Sequence, residues 1–297
     1  MSIRLNPNLL PDLLTAVQQS EQNMNAATEQ LASGRSVNRL SDDPAAVAAL
    51  VGNHNSTGQD DQFLRNISSF QARFQVADST LSNVVTVLTR AVAIGTEGAN
   101  GTLSAADRQA VAGEVQGLTS QLLSLANTTY QGTYIFSGTA VKTQPFALNT
   151  TTNAVTYNGD ANTTSVQLSN GNPISTSVPG SQLFQNASGD AFGALQNLNA
   201  ALLSGNNIGA AVIQVQTALS TVSTQRVFYG NGLNQITLSE NFLSQDKVNL
   251  SSQENSLVGV DPAKAASDLV QAQVANQSIL SATGRVLTLP TLLSFLK

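Results

Sequence analysis

Leu10, Leu13, Val17, Ser20, Met24, Ala27 and Leu31 advance by alternating steps of three and four residues. That spacing marks a helix with one narrow apolar stripe, and such a stripe needs a partner helix. A second amphipathic pattern fills the last forty residues, where Asp261-Pro262 opens a helix carrying Ala266, Leu269, Val270, Ile279, Leu280 and Val286. The two ends are therefore predicted to pair with each other and with copies of the chain.

Between them the periodicity is stronger. Ser41-Asp42-Asp43-Pro44 opens a helix in which Asp43 caps and Pro44 takes the first helical position, where a missing N–H costs nothing. From Phe63 the positions Ile67, Phe70, Phe74, Ala77, Leu81, Val84, Leu88 and Ala91 form a four-heptad seam predicted to stop around Gly95 to Gly101. A third helix follows on Val111, Val115, Leu118, Leu122 and Leu125. From Gly138 the period changes. Val155 and Tyr157 before Asn158-Gly159, and Val166 and Leu168 before Asn170-Gly171, predict two hairpins. Helical spacing resumes at Phe192, and Val222, Tyr229, Ile236, Leu243, Leu250 and Leu257 sit seven apart. The expected fold is mainly α: an elongated, hairpin-like bundle of long helices with paired N- and C-terminal coiled-coil helices and a small β-rich insert at the tip. Residues 1–40 and 262–297 form the terminal module, 41–137 and 185–261 the helical trunk, and 138–184 an insert expected to be a surface appendage.

Candidate chemistry is sparse. The chain has no cysteine, no tryptophan and one histidine, His54, which removes disulfides, thiolate metal sites and most zinc or triad arrangements. Its four lysines are scattered and its net charge is -5, so no basic cluster exists to hold a phosphate backbone. No run reaches the roughly 18 apolar residues of a membrane helix, and the first residues lack both a basic leader with an apolar core and a small-residue cleavage site. Asp42 and Asp43 read as helix-start charges, Asp60 and Asp61 as a solvated face, and His54 as a packing residue. Ser20 and Gln273 are polar residues at core positions of the terminal seams. No phosphate-binding loop or nucleophile elbow occurs. No catalytic residue, metal or cofactor is expected, and the chain is not expected to be an enzyme.

The stretch Leu31-Ala32-Ser33-Gly34-Arg35-Ser36-Val37-Asn38-Arg39-Leu40-Ser41-Asp42-Asp43-Pro44-Ala45 resembles the N-terminal signature of bacterial flagellins and hook-associated proteins, L-S-S-G-x-x-I-N-x-x-x-D-D. Gly34, Arg35, Asn38, Asp42, Asp43 and Pro44 are its cap and motif positions here. Gly132-Thr133-Tyr134-Ile135-Phe136-Ser137-Gly138-Thr139, Pro145-Phe146, Tyr157-Asn158-Gly159-Asp160 and the stretch from Val166 to Gly171 are similar to the junction-protein branch of that superfamily, and Leu289 to Leu296 to its apolar ending. The resemblance implies a structural subunit acting as the hook–filament junction adaptor, with filament flagellin as the alternative because Leu292-Leu293-Ser294-Phe295-Leu296-Lys297 is nearly as close to a flagellin ending. It also implies an assembly interface on Leu10, Leu13, Val17, Met24, Leu31, Leu269, Leu280, Val286, Leu292, Leu293 and Phe295. The implied partners are copies of the chain, hook-associated protein 1, filament flagellin and a flagellar export chaperone. The implied address is extracellular, reached through type III export without a cleaved signal peptide. A secreted effector or adhesin would leave the capped terminal helices without a role.

Overall fold

The computed structural model of the chain describes residues 9–149, 151–169 and 173–287. In order these form α1 (Leu9–Ser33), α2 (Pro44–Ala99), α3 (Ala105–Ala126), β1 (Thr129–Tyr130), β2 (Thr133–Tyr134), β3 (Phe146–Leu148), β4 (Val155–Tyr157), β5 (Ser165–Gln167), β6 (Pro173–Ser175), α4 (Gly180–Phe184), β7 (Gln185–Asn186), β8 (Gly189–Asp190), α5 (Ala191–Ser204), α6 (Ile208–Val258) and α7 (Pro262–Leu287). The architecture is mainly α, as the periodicity dictates. It divides into two compact units, Met1–Gly58 with Asp246–Lys297, and Gln59–Gln245; α2 and α6 contribute a stretch to each.

In the larger unit the heptad positions do what their spacing requires. Ile67, Phe74, Ala77, Leu81, Val84, Leu88 and Ala91 of α2 are buried, and so are Val222, Tyr229, Ile236 and Leu243 of α6. Asp60, expected on a solvated face, is 7% exposed, because it sits one heptad before Ile67 on the same stripe. Helix α2 runs past Gly95 and ends at Ala99, within the predicted window. A Cβ on Gly95 would stand 2.5 Å from Val212 Cγ2 and 2.9 Å from Leu198 Cδ1, so this glycine serves close approach of α5 and α6 and does not end the helix. Tyr229 packs edge-on against Phe74 at 5.3 Å, and its hydroxyl accepts the Val178 N–H at 3.2 Å.

The β segment departs from expectation in two ways. Strands β3 and β4 pair with Phe146 opposite Tyr157 and Leu148 opposite Val155, so the turn lies before β4 and not at Asn158-Gly159. Asn149 Oδ1 accepts the N–H of Thr151 at 2.9 Å and of Thr152 at 3.2 Å, an Asx turn that competes successfully with the Asn-Gly pair. Asn158 and Asp160 instead donate their N–H groups to Pro145 and Ser137 carbonyls, and the Asp160 carboxylate accepts both the N–H and the hydroxyl of Thr139. The second hairpin is as expected, with Val166 opposite Ile174 on either side of Asn170-Gly171; that pair lies outside the described residues. Nor is the segment an appendage. Phe136 and Phe146 are fully buried and meet Phe184 edge-on at 5.4 and 5.5 Å, and Phe146 also packs at a tilt against Phe192 of α5 at 5.2 Å.

Candidate functional site

The smaller unit holds the residues that the sequence singled out. Its two connectors, after α1 and after α6, are laced together. Gly34 closes α1 in the left-handed region at φ 70°, donating its N–H to Gln30 O at 2.9 Å, a conformation that strains any residue with a Cβ. The next residue, Arg35, bridges antiparallel to Gly259: Ser36 N–H reaches Val258 O at 2.7 Å and Val260 N–H reaches Gly34 O at 3.1 Å. The Arg35 guanidinium meets Glu254 at 2.5 Å, and His54 Nε2 approaches the other oxygen of Glu254 at 3.5 Å. Motif positions 34 and 35 thus tie the first connector to the end of α6.

The carboxylates of the motif have separate tasks. Asp43 Oδ1 accepts the N–H groups of Ala45 and Ala46 at 3.0 Å each, which is the cap read from the sequence; Asp261 does the same for Ala263 at 2.9 Å at the start of α7. Asp42 does not share that work. It turns back and accepts Arg39 N–H at 2.8 Å and Asn38 N–H at 3.0 Å, fixing the connector's own turn. The Arg39 N–H first, and the Asn38 N–H second, hold its carboxyl below the ordinary carboxylate range. Asn38 Nδ2 closes the same loop on Arg35 O at 3.1 Å.

With the connectors bridged this way, α1 and α7 pack antiparallel. Their seam is thin. Leu13, Val17, Met24 and Leu269 are half-buried, Ser20, Ala27 and Ala265 are buried, and Gln273 is exposed. On α7 the inward positions are Ala265, Leu269, Ala272, Asn276, Ile279 and Thr283, so Leu280 lies off this seam at 52% exposed, as Leu31 does at 39%. The buried positions of the stripe are small residues that allow close approach; of the large aliphatics used to locate it, Leu13, Val17, Met24, Leu269 and Ile279 are half-buried, whereas Leu31, Val270 and Leu280 face outward. An open groove of about 610 Å³, lined by Ala16, Ser20, Asn23, Ala27, Ala272 and Ala275 among others, runs along the pair. Leu10 and Val286 fall in α1 and α7; Leu292, Leu293 and Phe295 lie outside the described residues.

Two features escaped the sequence reading. The contacts of Arg35 and His54 with Glu254 join residues two hundred or more positions apart, for which no local signal exists, whereas the turn role of Asp42 could have been read from its position four residues after Asn38. Among the described residues no group of three His, Cys, Asp or Glu could hold a metal, and no helix is long and apolar enough to cross a membrane. The arrangement offers backbone bridges, caps and unfilled helix faces. Its chemistry is packing.

Comparison with known proteins gives this arrangement a family. The bacterial flagellin N-terminal helical region matches residues 10–140 and the flagellin C-terminal helical region matches residues 212–296. The chain belongs to the flagellin family. It is similar to flagellar hook-associated protein 3 of Salmonella typhimurium, with 28% identity over 87% of this chain and 92% of that protein. In fold it resembles a putative flagellar hook-associated protein of Vibrio parahaemolyticus, with a TM-score of 0.67 and 20% identity over 73% of this chain and all of the other. It also resembles flagellar hook-associated protein 3 of Legionella pneumophila, with a TM-score of 0.64 and 16% identity over 71% of this chain and 98% of the other. These relatives are flagellar structural proteins and not enzymes.

Proposed function

We propose that this chain is a structural subunit of the bacterial flagellum that works as the hook–filament junction adaptor. The observation that carries the proposal is the bridged pair α1 and α7, joined through Gly34, Arg35 and Gly259 yet thinly buried along its length. A helix pair with unfilled faces is built to be completed by neighbours. Similarity running through 92% of a hook-associated protein supports the junction role over that of filament flagellin. On this reading copies of the chain associate through the terminal helices, with hook-associated protein 1 below and filament flagellin above. An export chaperone holds the subunit before it leaves the cell. Stacked identical subunits use heterologous contacts, which propagate until a different protein ends them.

The test is complementation in cells that make hooks and flagellin but lack their junction protein. Expression of this chain is expected to restore filaments on hooks and to keep flagellin out of the medium. Bare hooks with flagellin released would contradict the junction role, and filaments built of this chain alone would assign it to the filament.

A further inference from the structure

The larger unit holds a cleft that the assembly reading does not use. Gln116, Thr119, Ser120 and Leu123 recur at helical spacing on one face of α3, and Gln196, Asn199 and Ala200 do the same on α5. With the β3–β4 hairpin these two faces line a cleft of about 380 Å³. That volume lies in the range of small-molecule sites, about 300–1,000 Å³.

The cleft is held in shape by its own amides. Asn199 Nδ2 donates to Ala112 O of α3 at 2.7 Å. Gln196 Nε2 donates to the carbonyl of Asn153, which the hairpin turn holds in the left-handed region at φ 54°. Both partners are backbone carbonyls, which only accept, so each amide turns its nitrogen to the protein and keeps its oxygen over. Among the described residues neither oxygen accepts a hydrogen bond. Thr119 and Ser120 donate their hydroxyl protons to Val115 O at 2.9 Å and Gln116 O at 3.2 Å, and so present lone pairs as well. The polar side of the cleft is rich in acceptors. Its other side is apolar: Leu148 stands opposite Val155 in the hairpin, which puts both on one face of it, and Leu123 joins them in the lining. Leu148 is 41% exposed there.

This combination selects a class of ligand. An anion brings only acceptors and would meet acceptors; a cation finds no carboxylate in the lining, and a planar base finds no aromatic ring to stack on. A wholly apolar molecule would strip water from the amide oxygens without pairing them. A pyranose sugar carries hydroxyl donors around its rim and C–H groups on its faces. We propose that the cleft binds a neutral sugar, whose hydroxyls donate to the oxygens of Gln196 and Asn199 and whose C–H face lies on Leu123 and Leu148. Every lining residue belongs to the larger unit, so the proposal does not depend on the junction role.

Saturation-transfer NMR on the full-length chain tests it, with methyl β-galactoside, methyl α-glucoside and N-acetylglucosamine as probes at millimolar concentration. At least one of these sugars is expected to take up saturation, most strongly at the C–H groups of one ring face. Glycerol, which has hydroxyls and no ring, N-acetylneuraminic acid, which carries a carboxylate, and a neutral peptide of serine and asparagine are each expected to show at least fivefold less. Gln196→Ala removes one acceptor, and Ala200→Phe fills the cleft from an exposed position of α5; each is expected to lower the sugar signal at least fivefold. Ala200→Phe should do so with an unchanged thermal midpoint, which keeps the test valid if Gln196→Ala loosens the hairpin. No saturation of any of the three sugars overturns the proposal. So does a sugar signal that survives Ala200→Phe, because the sugar then sits elsewhere. Equal saturation of glycerol, of the acidic sugar or of the peptide overturns the assignment to neutral sugars. The junction role stands or falls by complementation alone.

Discussion

Tyr229 shows how one buried polar atom links packing to solution behaviour. It is 1% exposed between Phe74 and Phe228, and burial pushes its phenol up from 10.0 to about 12, as burial also does for Tyr157. The folded value lies above the unfolded one, so the neutral phenol's contribution is complete below pH 10 and is lost as pH rises toward 12. Denaturant unfolding is therefore expected to show stability falling between pH 10 and 12. Tyr229→Phe should remove part of that fall and lower stability at neutral pH by leaving the Val178 N–H unpaired, at a cost of about 1–3 kcal/mol. A wild-type stability flat to pH 12 would contradict the assignment. Asp42 has the opposite sign. Its depressed carboxyl contributes above the ordinary carboxylate range, and that contribution is lost as pH falls through the depressed value.

Among the elements, the β segment and the terminal helices respond differently to removal and to opening. Residues 138–180 supply Phe146 to the cluster of Phe136, Phe184 and Phe192, so replacing them with a short Gly-Ser bridge is expected to lower the thermal midpoint of the helical unit and broaden its transition. Retention of a cooperative transition at the wild-type temperature would mean that the cluster contributes little. Within the smaller unit, Ala27, Ala46, Val258 and Ala265 are the buried hydrophobic residues among those described. So little apolar area does not offset roughly 1–2 kcal/mol per residue of backbone ordering. Amide hydrogens of α1 and α7 are expected to exchange much faster than those of α2 between Phe74 and Leu88 in the monomer; equal protection would count against a terminal pair that awaits neighbours. The contrast also explains what was legible in the sequence. Heptads of Leu, Val and Phe in α2 and α6 could be placed from spacing alone, and Asp-Pro fixed the starts of α2 and α7. The inward line of α7 could not, because Ala265 and Ala272 carry no pattern stronger than the outward Val270 and Leu280. The Asn158-Gly159 turn failed for a related reason: a strong local signal yielded to the Asn149 turn and to a tertiary anchor through Asp160 and Thr139.

For the whole molecule the claim is a division of labour: the larger unit folds by itself, and the terminal pair assembles. Two substitutions separate them. Val17 lies half-buried on α1, where Val17→Glu sets a charge in a seam that neighbours are to complete, and an unpaired buried ion is strongly disfavoured. Leu81 is fully buried in the α2 seam, so Leu81→Ala is expected to destabilise the monomer by about 2–5 kcal/mol. The decisive measurement is a pair on each variant: thermal unfolding of the purified full-length chain, and filament growth in cells lacking the native junction protein. The account predicts that Val17→Glu melts like wild type and builds no filaments, while Leu81→Ala melts at a clearly lower temperature. Normal filaments from Val17→Glu, or a monomer destabilised as severely as by Leu81→Ala, would contradict it.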